Sequence, residues 1–277
     1  MNQPLLSIQG LSVDYVTNQD VFRAVDKVDL DIADNEIVGL AGESGCGKST
    51  LAYSVLNLHR PPAFITQGQI RYRDTSVLDL PTASLDRFRW NEVGMVFQSA
   101  MNSLNPVVRI DRQFLDVLHA HTDLTREAAL ARAEDMMRLV DIPVSRLRDY
   151  PHQCSGGMRQ RIVMAICLAL EPRLIIMDEP TTALDVVVQR EILQQIHELK
   201  QRLGFSVLFI THDLALMLQF CDRIGIMRQG RILEMGSRDD ILHRPQNAYT
   251  CQLLDAIPGR HLFGRTWQWN QTEEAAL

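Results

Sequence analysis

The chain has no apolar run approaching the 18 residues that a membrane-crossing helix needs, and Met1 to Gly10 lack the charged and apolar regions of a secretory leader. It is therefore expected not to cross a membrane itself. It also has no Cys-x-x-Cys pair. Its five cysteines, Cys46, Cys154, Cys167, Cys221 and Cys251, are odd in number and scattered, which argues against a disulfide framework and offers no zinc or iron–sulfur spacing. A reducing compartment, the cytoplasm, is the simplest home for such a chain. Basic residues are not in excess: a formal net charge of -6 argues against a nucleic-acid-binding face. What remains is ordinary for a soluble protein, with 46% hydrophobic and 22% charged residues, and 277 residues suffice for a substantial core.

Against this background one stretch stands out, Gly42-Glu43-Ser44-Gly45-Cys46-Gly47-Lys48-Ser49-Thr50. Gly42 and Gly47 bracket four residues and are followed by Lys48 and a hydroxyl, the pattern of a phosphate-binding loop. The apolar run Glu36 to Ala41 before it reads as a strand, and the Leu and Ala spacing from Leu51 to Leu58 reads as a helix. The glycines let the backbone curl and aim N–H groups at phosphate oxygens. Lys48 would then reach the β- and γ-phosphates, and the Ser49 hydroxyl would be a Mg2+ ligand.

Alternating apolar residues predict strands over Leu5 to Val16 and Ala24 to Ile32, a small antiparallel sheet leading into that loop. Tyr15, at the end of the first, reads equally as an adenine-stacking ring or as a half-buried strand aromatic. A short helix is expected over Ser84 to Trp90 and a strand over Val93 to Phe97, ending at Gln98. Gln98 could reach a metal or a water near the γ-phosphate, although a lone glutamine is usually a polar loop residue. Asp111 to Val140 has helical spacing with a fresh start at Thr125, and His119 and His121, two apart, point to different sides of a helix and suit no metal pair.

A second glycine-containing turn, around Ser155-Gly156-Gly157, precedes a helix from Arg159 to Leu170, and offers either another anion site or a plain cap. Leu174 to Met177 is a continuous apolar run, as in a buried parallel strand, and it ends in Asp178 and Glu179. Asp178 is a candidate Mg2+ holder, and Glu179 a candidate base for the attacking water. A helix from Val186 to Arg202, a strand from Ser206 to Thr211 with His212 at its carboxyl end, a helix from Leu214 to Cys221 and two strands over Arg223 to Arg228 and Gly230 to Met235 complete the alternation. A last helix is expected over Ser237 to His243. The aromatics Phe263, Trp267 and Trp269 are expected to pack on the body, and Gln271 to Leu277 to be disordered.

Taken in order, these pieces resemble the nucleotide-binding subunit of an ATP-binding-cassette transporter over nearly the whole chain. Gly42 to Thr50 resembles the Walker A loop, Gln98 the Q-loop, and Cys154 to Met158 the signature. Leu174 to Asp178 with Glu179 resembles the Walker B strand and base, Ala183-Leu184-Asp185 the D-loop, His212 the switch histidine and Tyr15 the adenine-stacking ring. Met101 to Pro106, Tyr150 to Gln153, Ser155 to Arg161 and the segment from Tyr249 to Pro258 are similar to the oligopeptide, dipeptide and nickel importer branch. Two departures are Cys154, where the signature usually begins with Leu, and Ser99-Ala100, where the branch usually has an acid and a proline.

The resemblance implies an α/β fold: a P-loop NTPase (RecA-like) parallel sheet core with an N-terminal antiparallel β subdomain and an inserted α-helical subdomain. The cassette would span 5–258, with its core at 5–98 and 159–240 and the helical subdomain at 99–158, and 259–277 would be a tail. It implies ATP and Mg2+, with Tyr15, Gly42, Ser44, Gly45, Cys46, Gly47, Lys48, Ser49 and Thr50 binding this chain's ATP. Ser155, Gly156, Gly157 and Asp185 would act at the site shared with a second cassette. Glu179, His212 and Gln98 would be catalytic, and Ser49, Gln98 and Asp178 metal-binding. The implied partners are a second cassette, a paralogue or a copy of this chain, and two membrane permease subunits at the cytoplasmic face of the inner membrane. An extracytoplasmic substrate-binding protein would act indirectly, with no nucleic acid. Peptide is the expected cargo, with nickel or oligosaccharide behind it. A soluble cassette ATPase acting on nucleic acid or ribosomes is the alternative, and the tandem cassettes, coiled coil or zinc insertions usual there are not visible.

Overall fold

The computed structural model describes residues 3–17, 20–98, 103–181 and 185–257. The chain begins with strands β1 (Leu6–Val16) and β2 (Val21–Ile32), then β3 (Ile37–Ala41) and helix α1 (Lys48–Val55). Strands β4 (Ala63–Tyr72) and β5 (Thr75–Ser76) lead to α2 (Thr82–Asn91) and β6 (Val93–Val96). Helices α3 (Ile110–His121), α4 (Arg126–Leu139) and α5 (Gly156–Leu168) come next. They are followed by β7 (Leu174–Asp178), α6 (Val186–Leu203), β8 (Ser206–Thr211) and α7 (Leu214–Phe220). The hairpin β9 (Arg223–Arg228) and β10 (Arg231–Ser237) precedes α8 (Arg238–His243) and α9 (Ala248–Asp255).

Among the described residues the strands form two sheets. One is antiparallel, in the order β2-β1-β4-β5; the other has six strands, β10-β9-β3-β8-β7-β6, and only β10 runs against its neighbour. The parallel strands are buried on both faces, which is why they are continuous apolar runs in the sequence. Along β7, Leu174 and Ile176 enter the core shared with the antiparallel sheet and α1, while Ile175 and Met177 enter the core shared with α3 to α6. On β8 the same alternation sends Leu208 and Ile210 one way and Val207 and Phe209 the other. Full burial of a side chain such as Phe209, packed edge-on against Phe220 at 5.1 Å, stabilises by about 1.5–3 kcal/mol.

Parallel pairing also sets the functional edge. Ala41 pairs with Thr211 and Asp178 with Ile210, so β3, β7 and β8 end side by side, and the residues that follow them emerge together. No helix of the described residues is long and apolar enough to cross a membrane.

The expected elements are present, with differences at their ends. The helix over Ser84 to Trp90 is α2, but Arg89 and Trp90 leave helical geometry, Trp90 with φ 77. The helix expected from Arg159 begins at Gly156, so the glycine turn is its first turn. Strands β4 and β5 and helix α9 were not anticipated. His119 is exposed, while His121 is half-buried against Trp90 at 6.0 Å; burial pushes its pKa down. The expectations for Ser99-Ala100, Met101-Asn102, Ala183-Leu184, Pro258 and the aromatic tail, Trp267 and Trp269 included, fall outside the described residues.

Candidate nucleotide-binding site

The loop after β3 is wedged between β9 and β2. A Cβ on Gly42 would lie 2.1 Å from the Met227 carbonyl oxygen, and one on Gly47, at φ +108, would lie 2.2 Å from the Ala24 oxygen. Neither position can carry a side chain without displacing backbone. Gly47 is the N-cap of α1, and among the described residues no side-chain cap hydrogen bond is made there. Its first-turn N–H groups therefore remain for an anion, with the helix dipole favouring negative charge. Lys48, 5% exposed, donates from Nζ to the carbonyl oxygens of Gly42 and Glu43, both at 2.8 Å, with Cys46 Sγ at 3.7 Å.

A pocket of about 350 Å³ opens above this loop, lined by Ser44, Gly45, Gly47, Lys48, Ser49 and Thr50 on one side. Tyr15, Phe22 and Ala24 from the antiparallel sheet, and Gln98 and Glu179 from the edge of the parallel sheet, form the rest. Tyr15 Oη lies 3.5 Å from Thr50 Oγ1. Gly42 and Cys46 stand behind the lining: Cys46 is buried, and its N–H donates to the Glu43 oxygen at 3.3 Å.

Asp178 is wholly buried, and among the described residues neither carboxylate oxygen has a partner in full hydrogen-bond geometry, the Ser49 hydroxyl being close enough only to act on its charge. Burial pushes its pKa up; the neighbouring Ser49 hydroxyl opposes this, the Glu179 charge adds to it, and Lys48 opposes it again. An orphaned carboxylate beside a hydroxyl is an all-oxygen donor set that fits a hard divalent cation. Glu179 follows with φ 46, a conformation uncommon for a residue with a side chain, and its N–H donates to the Ile210 oxygen at 2.8 Å. Its carboxylate is held at both ends, by Gln98 Nε2 on Oε2 at 3.0 Å and His212 Nδ1 beside Oε1 at 3.2 Å. Gln98, Glu179 and His212, far apart in sequence, thus meet at the pocket's edge, although His212 itself does not line it.

Ser155, Gly156, Gly157 and Asp185 gather elsewhere, in a pocket of about 520 Å³ that also takes in Arg161 and Glu191, 3.1 Å apart. Ser155 caps α5 by accepting from Met158 N–H at 3.3 Å, and Asp185 caps α6 by accepting from Val188 N–H at 2.9 Å. A Cβ on Gly157 would meet Val188 Cγ1 at 2.9 Å. Cys154, the departure at the head of this turn, does not line the pocket: its side chain is buried in the helical core.

Phe22 and Ala24 are pocket residues that the sequence reading missed. Phe22 pairs with Tyr15 across β1 and β2, and only that register brings the second ring to the pocket. The signal available in advance was an aromatic on the facing strand, which gains meaning once the turn length is known.

Comparison with known proteins identifies the family. Residues 25–182 match the family model described as ABC transporter. The chain is 41% identical to a probable peptide ABC transporter ATP-binding protein of Sinorhizobium fredii over 92% of its own length and 77% of that protein. It is 37% identical to the oligopeptide transport ATP-binding protein of Bacillus subtilis, over 92% of this chain and 72% of that one. Among solved structures, the dimeric post-hydrolysis ATP-binding cassette MJ0796, bound to ADP and Pi, superposes with a TM-score of 0.74 at 26% identity. The match covers 84% of this chain and 98% of that one.

Proposed function

The chain belongs to the ABC transporter family and is one of its ATP-hydrolysing subunits, and from that premise we propose that it powers a peptide importer by ATP-driven pairing with a second cassette. The observation that carries the reading is the Glu179 carboxylate, gripped by Gln98 and His212 on the wall of the phosphate-loop pocket and next to buried Asp178. In this reading the loop N–H groups and the α1 N-terminus bind the polyphosphate, and Tyr15 stacks on the base. Lys48 exchanges its two carbonyl partners for phosphate oxygens. Ser49 and Asp178, with Gln98 at the pocket's edge, would hold Mg2+, which supplies charge neutralisation at the β- and γ-phosphates. Glu179 takes the proton of the attacking water on a carboxylate oxygen, and His212 and Gln98 fix that carboxylate's orientation.

One chain holds two half-sites. The phosphate loop and Ser155 line different pockets, which supports a head-to-tail pair in which Ser155, Gly156, Gly157 and Asp185 close on the partner's ATP. An apolar groove of about 250 Å³ between Trp90, Met95, Phe97, Leu104, Val117 and Ile166 supports docking of a permease subunit beside Gln98. The chain would then be peripheral, on the cytoplasmic face of the membrane, with a paralogue as the partner cassette and the substrate-binding protein acting through the permease.

Sedimentation of the Glu179→Gln chain, alone and mixed with its paralogue, tests the shared site. ATP is expected to produce a dimer in one of the two mixtures, and Ser155→Arg to destabilise it without changing ATP binding by the monomer. A dimer indifferent to Ser155→Arg would contradict the reading.

A further inference from the structure

The phosphate loop carries a carboxylate of its own. Glu43 directly follows Gly42 and is exposed, yet it is absent from the pocket lining. Its Oε1 instead accepts a hydrogen bond from the Tyr249 phenol at 3.0 Å. Tyr249 lies in the first turn of α9, is 6% exposed, and has the Arg228 guanidinium over its ring, 4.4 Å from the centroid. A cation against a mostly buried ring fixes the tyrosine more firmly than an exposed contact would.

The platform beneath Tyr249 is anchored independently. Glu234 on β10 accepts from the backbone N–H groups of Gln246 and Asn247 at 2.7 and 3.1 Å, and the Asn247 side chain accepts from Tyr249 N–H at 2.9 Å. The β9–β10 hairpin that carries Arg228 is itself bound to the phosphate loop, with Gly230 N–H donating to the Cys46 oxygen at 2.9 Å. Tyr249 therefore reaches Glu43 from an element whose position relative to the loop is already set. Burial, and next the Glu43 carboxylate, push the phenol's pKa up, so it stays a donor across neutral pH.

We propose that Tyr249 is a positioning residue for nucleotide binding: it pins the Glu43 carboxylate on its own hydroxyl, outside the pocket lining, and so keeps a negative charge away from the bound polyphosphate. The inference rests on the ATP reading of this loop. Its physical content is electrostatic. The Glu43 carbonyl already accepts from Lys48 Nζ at 2.8 Å, so a Glu43 side chain released from Tyr249 has that ammonium as a near cation. It would compete with phosphate for Lys48 and repel the anion at the same time. Helix α9 thereby becomes part of the nucleotide site without touching nucleotide.

The test uses the full chain as parent, Tyr249→Phe, Glu43→Gln and the double variant, with calorimetric titration of ATP at low and high salt. Tyr249→Phe keeps the ring over Arg228 and loses only the hydroxyl. It is expected to weaken ATP binding roughly fivefold (about 1 kcal/mol) at low ionic strength, with a smaller loss at high salt. Adding Glu43→Gln should bring the affinity back to the parent's, because the charge is then gone whether pinned or not. Glu43→Gln alone, at an exposed position, keeps an oxygen that can accept from Tyr249 and should bind at least as tightly as the parent. Three results would overturn the inference: Tyr249→Phe binding like the parent, a double variant as weak as Tyr249→Phe, or a weakened Glu43→Gln. A parent that does not bind ATP would instead overturn the assignment of the site itself.

Discussion

At the residue scale, Asp178 carries an imbalance that can be measured without nucleotide. It is wholly buried, among the described residues neither oxygen has a partner in full hydrogen-bond geometry, and burial outweighs the Ser49 hydroxyl and lifts its pKa above the ordinary 3.8. The sign follows from linkage. Between the ordinary and the raised value the native chain binds more protons than the unfolded one, so the stability contributed by this group falls as pH rises through that window. Removing the charge removes the cost. Asp178→Asn is expected to raise the melting temperature of the nucleotide-free chain at neutral pH, on the order of a few degrees, with the advantage fading as pH falls towards the ordinary carboxylate range. Calorimetry across pH checks this, and an unchanged or lower melting temperature at neutral pH would contradict it. The same variant should lose ATP hydrolysis, which separates a site built for a cation from one built for stability.

At the scale of elements, stability and function separate along the chain. Thr125 caps α4 by accepting from Ala128 N–H at 3.3 Å, away from both pockets. Thr125→Ala is expected to cost about 1 kcal/mol in a denaturant titration. ATP affinity should stay at the parent's value, and a changed affinity would mean that α4 is coupled to the site. The elements also show what was legible in advance. Strands β7 and β8 could be read from sequence because burial on both faces leaves an unbroken apolar run, and the residues after them gain meaning from the sheet's carboxyl edge. Strand β4 was obscured because its middle is exposed and its pairing with β1 shifts register where Gly10 and Gly68 approach. No period-two pattern survives such a bulge. Helix α9 is eight residues long, too short for periodicity to be decisive, and Tyr249 and Leu254 bury against distant parts of the chain. Phe22 and Tyr249 were missed at the site for the same reason: register and long-range contact place them, while Lys48, Gln98, Asp178, Glu179 and His212 each end or follow a strand or a glycine turn that local sequence announces.

At the scale of the whole molecule, the layered parallel sheet brings Gln98, Glu179 and His212 within hydrogen-bonding distance across sequence separations of 81 for one pair and 33 for the other. It leaves the Ser155 turn in a separate pocket. In the proposed reading the chain would hold a nucleotide on one face and offer a second face to another chain's nucleotide, so turnover should depend on assembly while binding should not. Glu179 sits where both requirements meet. The most direct test is Mg2+-dependent ATP hydrolysis by this chain alone, and again in complex with its partner cassette and permease subunits, with Glu179→Gln as the control. The account predicts little turnover alone, strong turnover in the complex, and loss of that turnover with retained ATP binding in Glu179→Gln. Full activity of the isolated monomer, or undiminished hydrolysis by a complex whose only change is Glu179→Gln, would contradict it.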